Sequence, residues 1–123
     1  MKGAWKTALV DIDRAVEFSG DDVDRFSKLV DLGKGFKDVL VLIPALNASA
    51  VVSVYVQKGS GVDEVPVALA ILDDDATGHF AHATTSGAGS IAIIFHIGGA
   101  EFIRIYCGAD QVADRSFSVM GSD

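Results

Sequence analysis

The chain has 123 residues, of which 50% are hydrophobic, and its formal net charge is −7. This is the size of one ordinary domain, with enough apolar residues to bury a substantial core. The 10 lysines and arginines show one local excess, which has no aromatic stacking platform. Proteins that bind nucleic acid need clustered basic groups, so we expect no nucleic-acid partner.

The cysteine count and the hydropathy pattern exclude further classes. Cys107 is the single cysteine, which excludes an internal disulfide and a cysteine-based metal site, and we expect it to be a small buried residue. Lys6 and Asp11 interrupt the first apolar stretch, so no secretory signal is expected. No run approaches the roughly 18 apolar residues of a membrane helix. We therefore expect no membrane partner and synthesis in a reducing cytoplasm.

Residues 1–24 combine weak alternation with a polar turn at residues 19–22, and we interpret them as an N-terminal arm ahead of a single domain at 25–123. The arm contains apolar residues that have no evident strand partner in the sequence. Such arms often become ordered only on assembly, so these residues are predicted to lie in an interface. The predicted interface residues are Trp5, Leu9, Val10, Ile12, Val16 and Phe18.

The next part of the chain reads as a series of short strands separated by turn residues. Residues 39–43 are apolar on both faces, which is typical of a central strand, and Pro44 ends it. In the following strand, Val52, Val54 and Val56 alternate with polar or aromatic residues, as in a half-buried strand. The predicted strands run over residues 26–32, 36–43, 50–58, 65–72 and 79–85.

Residues 90–121 are predicted to form three further strands. Alternating apolar residues at 91–97 are followed by Gly98 and Gly99, which permit a reversal, and by a second alternating stretch at 102–107. We interpret these two stretches as a β-hairpin with two apolar faces, placed in the middle of a sheet and covered above and below. The last strand ends at Gly121.

About eight strands at even spacing, with no long helical period, predict an all-β protein with a sandwich or barrel architecture, and two packed antiparallel layers are favoured. The inward positions of the alternating strands give the expected core. The predicted core residues are Val39, Val41, Ile43, Val52, Val54, Val56, Leu69, Ile71, Ile93, Phe95, Ile103, Ile105, Phe117 and Val119.

One stretch resembles the opening of a calcium-binding loop. Asp73, Asp75 and Thr77 alternate ahead of Gly78, so their side chains could converge on one point. Such a loop needs a bidentate glutamate at its twelfth position, where this chain has Thr84. A solvated acidic turn is therefore the preferred interpretation, and no structural metal is expected.

The remaining candidate groups do not form a catalytic set. His79 and His82 lie at odd spacing, which places them on opposite faces of a strand, and His96 lies in a different segment. No nucleophile motif and no glycine loop leading into a helix is present. We expect no enzymatic activity and no cofactor.

Four short motifs of strand and turn residues are distinctive: residues 30–33 (VDLG), 40–44 (LVLIP), 102–106 (FIRIY) and 114–121 (DRSFSVMG). Together they resemble small β-sandwich proteins that are encoded beside the major capsid protein in tailed bacteriophages, and the similarity covers roughly residues 25–121. The resemblance implies a jelly-roll-like sandwich and a virion structural protein. The specific role it implies is a capsid decoration, or cement, protein that binds the major capsid protein on the capsid exterior as a homotrimer.

Two alternatives stay open at this stage. One is another phage structural role, in the tail or at the head–tail junction. The other is a carbohydrate-binding β-sandwich module, which usually presents exposed aromatic rings to a sugar. The candidate rings here are Trp5, Tyr55 and Tyr106, and their spacing in sequence does not indicate a platform.

Overall fold

The structure, a computed structural model, describes residues 2–46, 51–72, 78–80, 82–84 and 91–123. These residues form eleven strands, and none of them belongs to a helix long and apolar enough to cross a membrane. The strands are β1 (Lys6–Val10), β2 (Val30–Asp31), β3 (Asp38–Ile43), β4 (Val51–Gln57), β5 (Val67–Ala68), β6 (Ala70–Leu72), β7 (Gly78–Phe80), β8 (His82–Thr84), β9 (Ile91–His96), β10 (Phe102–Cys107) and β11 (Arg115–Ser122).

The strand order arises because the first half of the chain pairs with the second half in reverse. β1 pairs with β11, β2 with β10, β3 with β9, and β4 with both β5 and β8, always antiparallel. These pairs form one long antiparallel ribbon, and folding the ribbon onto itself adds the pairs β11–β3 and β10–β4. The first sheet therefore has the order β1-β11-β3-β9, and the second has the order β2-β10-β4-β5, with β8 also beside β4.

This arrangement confirms the predicted two-layer antiparallel sandwich. If β5 and β8 are counted as one interrupted strand, eight strands follow the jelly-roll order. The interruption holds a separate two-stranded sheet, because β6 and β7 pair only with each other among the described residues.

The core lies between the sheets and contains the inward residues of the alternating strands, as predicted. Ten of the predicted core positions are buried: Val39, Val41, Ile43, Val52, Val54, Phe95, Ile103, Ile105, Phe117 and Val119. Val56, Leu69 and Ile93 are partly buried and pack against this core. The side chain of Ile71 lies outside the described part of the chain.

The predicted hairpin between residues 91–97 and 102–107 is wrong. Gly98 and Gly99 do have positive φ angles, 61° and 95°, so the chain reverses where expected. However, β9 pairs with β3 in the first sheet, whereas β10 pairs with β2 and β4 in the second. The glycine turn therefore connects the two layers. A reversal in sequence does not specify whether the flanking strands pair with each other. Here β9 pairs over its whole length with β3, and β10 pairs over its whole length with β4.

The predicted central position is correct for only one of these two strands. β10 lies between β2 and β4 and is covered on both faces. β9 forms an edge of the first sheet, and its Ile94 side chain is 60% exposed. Ile94, on the outward face of β9, is thus not covered by the described residues, although the apolar pattern of β9 resembles that of a buried strand.

Candidate docking surface

The outer face of the second sheet is covered by the chain's own N-terminal segment. Tyr55 of β4 and Tyr106 of β10 point outward, and their ring centroids lie 5.2 Å apart. Phe26 packs on both rings at 4.9 and 4.5 Å, and Phe18 packs edge-on against Phe26 at 5.1 Å. Residues 14–27 therefore form a third layer on this face.

A buried arginine fastens this covering segment to the sheet. Arg104 projects from β10 on the outer side and is 0% exposed. Its guanidinium donates hydrogen bonds to the side chains of Glu17 and Gln57, each at 2.9 Å, and to the backbone oxygens of Ser27 and Val62. A buried guanidinium is tolerated because its N–H groups find acceptors in this way. One side chain thus joins β10, β4, the covering segment and the loop after β4.

A second arginine holds the covering segment in its own conformation. Arg14 forms an ion pair with Asp21, whose side chain is fully buried, and also contacts Glu17 at 3.4 Å. The Asp21 carboxylate accepts the backbone N–H of Glu17 as well, at 3.0 Å. Because Glu17 contacts both Arg14 and Arg104, the internal fold of the segment is linked to its attachment on the sheet.

The structure disperses the six predicted interface residues. Val10 in β1 is 0% exposed and faces the core. Phe18 is buried, and its aromatic ring packs beneath the Arg104 guanidinium. Ile12 packs against the core. Leu9 is partly buried in β1, which pairs with β11 at the edge of the first sheet. Trp5 and Val16, at 51% and 66% exposure, are the two that are mostly exposed. Their contact with a neighbouring molecule stays a prediction.

The outer face of the first sheet is different, because no described segment crosses it. Its central positions are cross-strand neighbours: Leu40 lies between Met120 and Ile94, and Leu42 lies between Ser118 and Ala92. Leu42 is 40% exposed. Apart from Asp38 and His96 at one end, the outward residues of these four strands are uncharged, and we call nine of them the uncharged face. It consists of Thr7, Leu9, Leu40, Leu42, Ala92, Ile94, Ser116, Ser118 and Met120.

Charge borders the uncharged face at one end. Asp38 and His96 are paired across β3 and β9, and the carboxylate and the imidazole Nδ1 lie 2.5 Å apart. The rest of the outward surface of this sheet is apolar or carries hydroxyl groups. Exposed apolar residues that are adjacent on a flat sheet, rather than scattered, are typical of an interaction site.

A wide cleft opens at the end of the sandwich, between the loop after β4 and the glycine turn before β10. Its volume is about 790 Å³, and it is lined by Val56, Glu64 and Ile97 among others. Glu101 also lines it, and its carboxyl pKa is raised, first by partial desolvation and then by the neighbouring Asp31 carboxylate. Glu101 in this cleft thus lies beside another carboxylate, whereas Glu17 and Asp21 of the covering segment contact arginines.

The groups that could carry chemistry are distributed without a catalytic arrangement in the described residues. Cys107 is buried, as predicted, and burial raises the pKa of its thiol to about 12, so the reactive thiolate is suppressed. Carboxylates of Asp22, Asp24 and Asp110 lie within 4.8 Å of one another. Arg25 already contacts two of them, Asp110 at 2.8 Å and Asp22 at 3.4 Å, so this group is an ion-pair cluster.

Several sequence hypotheses fall on parts of the chain that are not described. The calcium-loop hypothesis at Asp73, Asp75 and Thr77 lies outside the described residues. The same holds for the side chains of His79 and His82, whose backbones belong to β7 and β8.

Comparison with known proteins matches the chain to no family model, no curated protein and no solved structure. The structure defines the class as an antiparallel β-sandwich with jelly-roll strand order. Residues 14–27 cover one outer face, and the other carries the uncharged face, which no described segment crosses.

Proposed function

We propose that this chain is a virion structural protein, a capsid decoration protein that binds the outside of a tailed-phage head through its uncharged face and stabilises the shell. The observation that supports this most is the contrast between the two outer faces. The second sheet already has a cover, tied down by Arg104, whereas the first sheet presents Leu42 and Ile94 to solvent. A partner that covers the first sheet would bury these residues.

The chemistry of the uncharged face suits docking on another protein. Desolvating leucine, isoleucine and small hydroxyl side chains costs little compared with desolvating charges, and apolar burial is the main favourable term in association. The acidic groups lie elsewhere on the surface and favour solubility in a chain of net charge −7. The face therefore has the composition of an interface core, and the hydrogen-bonded pair of Asp38 and His96 would form part of its rim.

We further propose a homotrimer on the capsid, with the major capsid protein as the partner beneath it. Trp5 and Val16 are the two predicted interface residues that remain exposed, and they are the candidates for contact between copies. Aromatic residues are enriched at the centres of interfaces, so Trp5 is the stronger of the two. A role in the tail or at the head–tail junction would use the same face with another virion protein.

The test is co-sedimentation with empty capsids of the phage that encodes the chain. A double variant, Leu42→Asp with Ile94→Asp, places two charges on the uncharged face without touching the core. We expect it to remain folded and to bind capsids at least about tenfold more weakly, which corresponds to about 1.4 kcal/mol. Val65→Asp is the matched control, because Val65 is also an exposed apolar residue, at 59%, and lies off this face.

Two outcomes would overturn the proposal. The first is a wild-type protein that does not pellet with the capsids, and the second is a double variant that pellets as well as Val65→Asp. Light scattering of the free protein tests the trimer separately, with Trp5→Ala as the variant that should reduce the measured mass.

A further inference from the structure

A small pocket lies on the second sheet beside the paired tyrosines, where strand β4 changes its neighbour. Along one edge of β4, residues Val51 to Ser53 pair with β8, and Tyr55 and Val56 pair with β5. The change of partner leaves a depression of about 230 Å³ next to Tyr55. It is distinct from the uncharged face, which belongs to the other sheet.

The lining of the pocket combines aromatic rings with a few hydroxyl groups. Tyr55 and Tyr106 form one wall, Leu69 lies in another, and Ser53 is directly opposite Tyr106 across the strand pair. Gly108 lies at the rim with its N–H bonded to the Val51 oxygen, and a Cβ there would come within 3.0 Å of that oxygen. The glycine thus keeps the backbone close to β4 and leaves the rim without a side chain.

The residues that hold the two tyrosines in place do not themselves line the pocket. Phe26 contacts both rings, and Arg25 donates a hydrogen bond to the Tyr106 hydroxyl at 3.5 Å. Rings that are fixed by packing lose little conformational freedom when a ligand binds. Burial, and then the neighbouring Tyr106, raise the pKa of Tyr55, so its hydroxyl stays protonated and can donate.

We propose that this pocket binds a pyranose ring of a carbohydrate. One side of a pyranose presents C–H groups that pack on an aromatic face, and its edge presents hydroxyl groups that need donors and acceptors. The pocket supplies both, through the Tyr55 and Tyr106 rings and through the hydroxyls of Tyr55 and Ser53. Within the described residues, the Tyr55 and Ser53 hydroxyls have no hydrogen-bond partner, so a purely apolar ligand would leave them unpaired.

This binding activity does not depend on the docking role of the uncharged face. The sequence left a carbohydrate-binding module open, with Tyr55 and Tyr106 among the candidate rings, but their spacing indicated no platform. The two tyrosines become neighbours only through the β4–β10 register, and the strand order β10-β4-β5 places β4, with Tyr55, between Tyr106 and β5.

The experiment is a titration of the isotope-labelled full chain, followed by amide and methyl chemical shifts. The probes are the methyl glycosides of glucose, galactose, mannose and N-acetylglucosamine, with benzene and toluene as apolar ring probes. We expect saturable shifts for at least one glycoside at Ser53, Tyr55, Leu69 and Tyr106. Tyr55→Phe and Ser53→Ala keep the packing and remove one hydroxyl each, and each should weaken that affinity about three- to tenfold.

Val67→Ala serves as the control variant, since Val67 lies on β5 outside this pocket and is 66% exposed. Its glycoside affinity should equal that of the wild type. The proposal is overturned if no glycoside shifts the pocket resonances, if only the apolar probes do, or if both hydroxyl-removing variants bind the glycoside as well as the wild type.

Discussion

The two outer faces of the sandwich show how one core can carry two different surfaces. Both sheets use alternating valine and isoleucine on their inner sides. On the outer side, the second sheet has Tyr55, Arg104 and Tyr106, and the chain's own residues 14–27 cover them. On the first sheet the equivalent positions have Leu40, Leu42 and Ile94, and no described segment crosses them.

A polar anchor at Arg104 distinguishes the second sheet from the first and helps to fix the position of the N-terminal segment there. Arg104 offers several N–H groups from the middle of a sheet, and Glu17 and the Ser27 oxygen accept them. A leucine at that position would permit many packing arrangements, whereas a guanidinium with fixed acceptors permits few. The first sheet has no such anchor, so the segment has no comparable reason to lie there.

Removing the anchor should give the largest effect. Arg104→Ala leaves Glu17 with only its longer contact to Arg14 and removes the donor to the Gln57 side-chain oxygen. Because the Glu17 side chain is 24% exposed, the cost should lie near the lower end of the about 3–5 kcal/mol that follows the loss of one member of a buried ion pair. Urea unfolding followed by circular dichroism measures this change in the free energy of unfolding. Arg104→Lys keeps the charge without the planar fork and should recover only part of the loss. A cost below about 1 kcal/mol for Arg104→Ala would mean that the aromatic packing alone holds the segment.

A matched pair of isoleucines compares the interior with the uncharged face directly. Ile105 is 0% exposed between the sheets, and Ile94 is 60% exposed on β9. The same substitution at both sites should differ in effect: Ile105→Ala is expected to cost about 2–5 kcal/mol and Ile94→Ala less than about 1 kcal/mol. Equal losses in parallel unfolding experiments would show that Ile94 is covered within the free chain.

The acidic groups give a smaller contrast of the same kind. Glu17 and Asp21 each form an ion pair with an arginine. Glu101 instead lies beside Asp31, and partial desolvation, followed by this neighbouring carboxylate, raises the pKa of Glu101. A raised pKa means that the folded state binds the proton more tightly than the unfolded state. The charged form is therefore unfavourable for folding above the folded-state pKa, and this penalty is relieved as the pH falls through it.

Glu101→Gln should accordingly raise the Tm near pH 7, by at most about 2 °C for a group this exposed. The gain should vanish once the pH is below the ordinary glutamate pKa, because the wild-type carboxyl is then protonated in both states. Asp13→Asn, at an exposed acid just before the covering segment, is the control. A variant with a lower Tm than the wild type at pH 7 would show that Glu101 stabilises the fold as an anion.

The sequence was sufficient for the core and insufficient for the surfaces. Alternation identified Val39, Val41, Val52 and Val54 as inward residues because a strand has a strict period of two. The same pattern at residues 91–97 did not distinguish an edge strand from a central one, since the outward Ile94 is as apolar as its inward neighbours. Pairing between distant strands, which decides that distinction, has no local signal.

The position of the N-terminal segment in the fold was not predictable from the sequence for a related reason. The pairing of β1 with β11 joins the two ends of the chain, so neither stretch indicates its partner locally. Arg104 was the available clue, because a charged residue at the centre of an apolar strand requires an acceptor. That acceptor, Glu17, lies in the segment that was interpreted as an arm.

The most direct test of the contrast between the two faces is hydrogen–deuterium exchange of the full chain, measured with and without capsids. If the uncharged face docks and the covered face does not, binding should slow exchange in β3 and in the edge strand β9. Exchange in residues 14–27 should be unchanged, because their cover belongs to the free chain. Slower exchange in residues 14–27 with no change in β3 and β9 would contradict the account.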